Sequence, residues 1–147
     1  MDHHYSKNDP LIRKALYEAY SKKCAYCGDL ILPKNMHVDH ILATNAKKSD
    51  DNDFNQYIDE LNNDGFILDS IENYRPSCAS CNLKKNNKNF NVATLRFYHN
   101  EARSKTSKII SIIEQYQKQS VSFDCFEYFD LEGDIYEKSS DYYGKRQ

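Results

Sequence analysis

Apolar residues recur at helical spacing in three stretches of the chain. Asp9-Pro10 reads as an N-cap followed by proline at the first helical position, and Ile12, Ala15, Leu16 and Ala19 then predict an amphipathic helix to about Tyr20. Phe54, Tyr57, Ile58 and Leu61 predict a short helix that Asn62 to Gly65 would end. From Val92, the series Leu95, Ala102, Ile109, Ile112, Ile113 and Tyr116 predicts a long amphipathic helix. Leu30-Ile31-Leu32 and Met36 to Ile41 flank Pro33-Lys34-Asn35 and predict a β-hairpin, while alternation from Phe123 to Phe129 predicts one late strand. No repeat and no Pro/Gly/Ser-rich linker interrupts the pattern. The expectation is a single α+β domain over 1–147. It has an N-terminal helix within 1–23, a core over 24–90 with an insertion at 43–71, and a helix, a strand and an acidic tail over 91–147.

Only 39% of the 147 residues are apolar, less than the ~45–50% usual for soluble domains, so something besides hydrophobic contact should help hold the fold. No apolar run approaches the ~20 residues of a membrane span. The amino terminus lacks the basic and apolar segments of a signal peptide. The expected address is therefore cytoplasmic and reducing, which excludes a disulfide scaffold and favours thiols or metal ligands for the five cysteines.

A net charge of −2 hides strong segregation. Residues 49–72 carry eight acids and no base, whereas residues 75–108 carry eight bases against the single acid Glu101. A local excess of that size is field enough to hold a phosphate backbone, with Arg75, Lys84, Lys85 and Lys88 as the expected contacts, although charge alone is equally consistent with a solvated helix face.

Cys24-x-x-Cys27 and Cys78-x-x-Cys81 are two knuckles of equal spacing. Two such turns supply the four thiolates that tetrahedral Zn²⁺ takes in a structural site, and zinc would offset the modest apolar content. Gly28 is expected to take a left-handed conformation at the end of the first knuckle. Cys125, between phenylalanines, is expected to be a buried free thiol. Simple ribbons separate their knuckles by ~15–20 residues, but here 50 residues intervene. That interval is where function is expected.

It opens with His37-Val38-Asp39-His40-Ile41, and the second knuckle arrives as Asn73-Tyr74-Arg75-Pro76-Ser77-Cys78-Ala79-Ser80-Cys81-Asn82-Leu83-Lys84-Lys85. If the clip folds the hairpin against the segment after Cys81, Asp39, His40 and Asn82 converge. An imidazole then stands beside two hard oxygen donors of the kind that suit Mg²⁺. His37 shares a strand face with Asp39 but is expected to be exposed polarity, and His3, His4 and His99 ordinary surface residues. The twelve tyrosines are expected in core and interface packing.

With these elements the sequence closely resembles the zinc-clipped branch of the HNH endonucleases, whose fold is the ββα-metal core. The resemblance covers about residues 10–90. It implies that His40 is a general base, that Asp39 and Asn82 hold a catalytic Mg²⁺ or Mn²⁺, and that Asn73 orders the loop carrying His40. Histidine is frequent at the position of Asn82, and the stretch from Ala43 to Ile71 is longer and more acidic than the minimal motif. The activity implied is hydrolysis of DNA to a 3′-hydroxyl and a 5′-phosphate, as in restriction or phage defence. Since no separate sequence-reading module is evident, the expectation is weak intrinsic specificity, a homodimer, or a partner protein that supplies targeting. The rival expectation is a non-catalytic zinc module that binds nucleic acid or a partner protein through its acidic surfaces.

Overall fold

The computed structural model describes residues 5–85 and 90–119. Among them lie four helices and one two-stranded antiparallel sheet, a mixed α+β arrangement. Helix α1 is Pro10–Ala19, strand β1 His37–His40, helix α2 Asn52–Asn63, strand β2 Tyr74–Ser77, helix α3 Ala79–Lys85 and helix α4 Val92–Lys118. The late strand over 123–129, Cys125, the acidic tail, His3, His4 and Lys88 lie outside the described residues.

The local signals act where the apolar periodicity places them. Asp9 caps α1, its side chain accepting from the Leu11 amide at 2.9 Å, with Pro10 in the first turn. Asp51 caps α2 by accepting from the amides of Asp53 and Phe54, and Asn91 caps α4 by accepting from that of Thr94. Each cap satisfies amides that the first helical turn leaves without partners. Helix α4 joins two cores. Its Ile109 and Ile113 pack with Ile12, Leu16 and Ala19 of α1 and with Met36, Val38, Ile71 and Tyr74. Its Leu95 and Ala102 pack with Ile41, Leu42, Phe54, Tyr57 and Leu61.

The hairpin expected around Pro33-Lys34-Asn35 does not form. Those three residues make one 3₁₀ turn, Leu30 is 77% exposed and bridges to Lys23, and β1 pairs instead with β2. The register sets Asp39 opposite Arg75 and His40 opposite Tyr74. The cause is the meeting of the knuckles. The Ala25 amide donates to the Pro76 carbonyl at 2.9 Å, which delivers the segment before Cys78 alongside β1. With α3 directly following β2, the three elements make a small ββα-like unit.

Candidate functional site

The four cysteine sulfurs lie within 4.8 Å of one another. Cys24 is buried, Cys27 exposed and the other two half-buried, and all four are free thiols. Gly28, at φ 82°, turns the chain out of the first knuckle, as only glycine does without strain. Zn–S bonds of ~2.3 Å require sulfur edges of about 3.8 Å in a tetrahedron. The Cys27 and Cys78 sulfurs are 3.9 Å apart, so the cluster is of a size that could hold a zinc ion. Burial pushes the Cys24 thiol up, but amides of Cys27, Cys78 and Tyr26 outweigh it and bring it down to about 6. Cys81 is driven the other way, to about 12, by burial and by the neighbouring thiols. Four sulfurs this close, none of them in a disulfide, are a set that a cation would relieve.

Beside this cluster, Asp39, His40 and Asn82 line one cleft of about 540 Å³, together with His37, Lys85 and, from the N-terminal segment, Lys7, Asn8 and Arg13. Arg13 is held over the cleft by donating to the Met36 carbonyl at 2.8 Å. The segment before α1 is tied down by the Tyr5 amide, which donates to the Asp69 carbonyl at 3.0 Å. Strand β1 presents Asp39 and the β1–loop junction presents His40, while Asn82 sits one residue beyond the second knuckle.

The Asp39 carboxylate accepts from the Tyr26 hydroxyl and faces the Lys85 ammonium at 3.3 Å. Burial, then Asp39 itself, pushes the Tyr26 hydroxyl well above its usual range, so it stays a proton donor. The His40 Nε2 atom lies 2.8 Å from an oxygen of Asp69, and the ring stands edge-on to Tyr74. Asp69 is a partner that sequence reasoning missed, being one acid among eight in the acidic block.

Asn73 is fully buried behind His40. Its Nδ2 donates to the carbonyls of Leu42 and Leu68, and its Oδ1 accepts from the Leu42 amide at 2.8 Å. It therefore ties the chain just after His40 to the chain just before Asp69. The Asn73 Oδ1 also lies 2.8 Å from Nε2 of His99. His99, expected on the surface, is 0% exposed, and its Nδ1 meets the Tyr57 hydroxyl. Burial, with the Arg103 charge adding to it, lowers its pKa to about 3, so the ring is neutral. An amide oxygen can only accept, so Nε2 of His99 carries the hydrogen and Nδ1 accepts from Tyr57.

The expected phosphate contacts divide. Lys84 is exposed on α3. Arg75 is 1% exposed. It donates to the Ala25 carbonyl at 2.8 Å, pairs with Glu101, and lies 4.0 Å and 4.7 Å from the ring centres of Tyr98 and Tyr26. Its role as a grip is corrected: it is a pillar inside the fold, because Glu101 of α4 offers it a carboxylate and two tyrosines offer it ring faces. Lys85, with its side chain 6% exposed, is turned inward onto Asp39 and the His40 carbonyl rather than outward to a strand. No helix of the described residues is long and apolar enough to cross a membrane. No family model, curated protein or solved structure matches the chain.

Proposed function

We propose that the chain is a metal-dependent DNA endonuclease of the HNH type, with a structural zinc in the four-cysteine cluster. One observation carries the reading: a carboxylate, an imidazole and an amide, from Asp39, His40 and Asn82, line one cleft braced by the paired knuckles. Four cysteine ligands would leave zinc no open position, so the chemistry belongs to the cleft.

His40 would take a proton from the attacking water. A carboxylate can only accept, so in the neutral ring Asp69 holds the hydrogen on Nε2 and the lone pair falls on Nδ1. Nδ1 is therefore the basic atom. Asp39 and Asn82 form an all-oxygen donor pair that fits Mg²⁺ or Mn²⁺ rather than a softer ion. Such a cation, when bound, supplies charge neutralisation at the scissile phosphate and the leaving oxygen. Lys85 would give up its contact with Asp39 as the carboxylate turned to the metal. Lys7 and Arg13 on the cleft wall and Lys84 on α3 are the bases at hand for flanking phosphates.

The deciding experiment is plasmid nicking by the zinc-loaded chain with Mg²⁺, with Mn²⁺ and with a chelator, alongside His40→Ala. Cleavage that needs Mg²⁺ or Mn²⁺ and is lost in His40→Ala supports the reading. Zinc-dependent folding with no cleavage under any of these conditions overturns it. The second reading, a non-catalytic zinc module, draws on the ion pair that already engages Asp39 with Lys85. It expects nucleic-acid or protein binding that His40→Ala leaves untouched.

A further inference from the structure

A buried histidine on a long helix, 18 residues beyond Cys81 of the second knuckle, meets the central asparagine of the candidate site. We infer that His99 is a positioning residue for His40, acting through Asn73, and that Tyr57 of α2 fixes the His99 ring. The inference rests on the nuclease reading only where it speaks of turnover.

The chain of contacts is continuous. The Tyr57 hydroxyl donates to Nδ1 of His99, Nε2–H of His99 donates to Oδ1 of Asn73, and the same oxygen accepts from the Leu42 amide. With its two Nδ2–H bonds, Asn73 has every donor filled and both lone pairs used. A side-chain amide held from four sides cannot flip or swing. It grips the backbone two residues after His40 and one residue before Asp69, so its orientation sets the distance between the imidazole and its carboxylate. Removing the His99 donor leaves Oδ1 with a single partner in a buried site, and the amide gains freedom to reorient.

This gives the acidic insertion a task inside the fold. Its helix α2 is polar on the outside, but Tyr57 is 3% exposed and its ring lies against His99. Phe66, after α2, stands edge-on to the same imidazole. The insertion thus packs the back of the site as well as displaying charge.

The test uses the zinc-loaded full chain with His99→Phe, His99→Gln and Tyr57→Phe. Phenylalanine keeps the ring volume and removes the donor, while glutamine restores one. His99→Phe should lower kcat about tenfold or more with KM little changed, because misplacement of a base costs turnover rather than binding. Zinc content should stay at wild type, and His99→Gln should recover much of the loss. Leu42 amide hydrogen exchange should quicken, and the His40 ring nitrogen resonances should shift, in His99→Phe and in Tyr57→Phe. Wild-type kcat together with wild-type Leu42 exchange in His99→Phe would overturn the inference. Should His99→Phe fail to fold, Tyr57→Phe decides by the same readouts. A wild-type chain that cuts nothing refutes the nuclease reading, and the exchange and resonance data then judge the positioning role alone.

Discussion

Replacing Arg75 by methionine separates a pillar from a phosphate clamp. Methionine keeps the aliphatic stem and removes the guanidinium, so packing is largely preserved. The lost bond to the Ala25 carbonyl has a charged donor and is worth ~1.5–3 kcal/mol. The two ring contacts, with Tyr98 and Tyr26, add about 1–2 kcal/mol together. Glu101 is 37% exposed on its side chain, so that ion pair adds at most ~1 kcal/mol. Against this, Arg75 Nε and Nη1 are buried without a hydrogen-bond partner, and removing them returns about 1–2 kcal/mol. The net expectation is a loss of about 2–3 kcal/mol, read as a urea midpoint roughly 1–2 M lower for the zinc-loaded chain. On the nuclease reading, duplex binding by fluorescence anisotropy across a salt series should keep its slope, since a buried Arg75 offers no phosphate contact to lose. Wild-type stability with a salt slope smaller by about 0.9 would mean that Arg75 reaches a phosphate and that its burial is misjudged.

Three further outcomes follow from the same geometry. Cys78→Ser should lose zinc and cooperative unfolding together, measured by metal analysis and calorimetry; a folded, zinc-free variant would sink the shared site. On the nuclease reading, Asp69→Asn should reduce Mg²⁺-dependent cleavage without changing zinc content, because an amide no longer imposes the hydrogen on Nε2 of His40; wild-type turnover would free His40 from that partner. The third concerns acid. His99 titrates near 6.5 when unfolded but at about 3 when folded, so the unfolded chain binds the extra proton between those values. Stability should therefore fall as pH drops through that window, by up to ~1.4 kcal/mol per pH unit, with a shallower fall in His99→Gln. Urea midpoints between pH 7 and pH 4 check it, and identical slopes in the two proteins would refute it.

What the sequence made legible was local or carried by covalent spacing. Asp9-Pro10 announces its helix because capping is settled within one turn, and two equal Cys-x-x-Cys turns announce a four-sulfur cluster because their chemistry has few other uses. The partner of β1 was not legible. Leu30 to Leu32 lie nearer along the chain, but β2 is brought to β1 by the second knuckle, a contact that local pattern does not encode. Arg75 and Lys85 add to a count of bases, yet a count carries no direction, and both turn inward to carboxylates. His99 did leave a signal. It falls four residues after Leu95 and three before Ala102, on the buried stripe of α4, where a polar residue needs a polar partner.

The separation of the knuckles has a consequence for how this chain can change over generations. Cys27 and Cys78 close a loop of 51 residues. Closure entropy grows only logarithmically, so doubling or halving such a loop alters it by ~0.6 kcal/mol. Extra length in the exposed loops between the knuckles is thus cheap, whereas the segments that supply Ile41, Phe54, Tyr57, Ile71 and Tyr74 to the two cores cannot be shed without losing that packing. The restraint is positional instead. Any insert must still return a hydroxyl to the back of the His99 ring and a carboxylate to His40, as Tyr57 and Asp69 do now. Chains of the same design should therefore differ most in the length of this interval and least in those two anchor points.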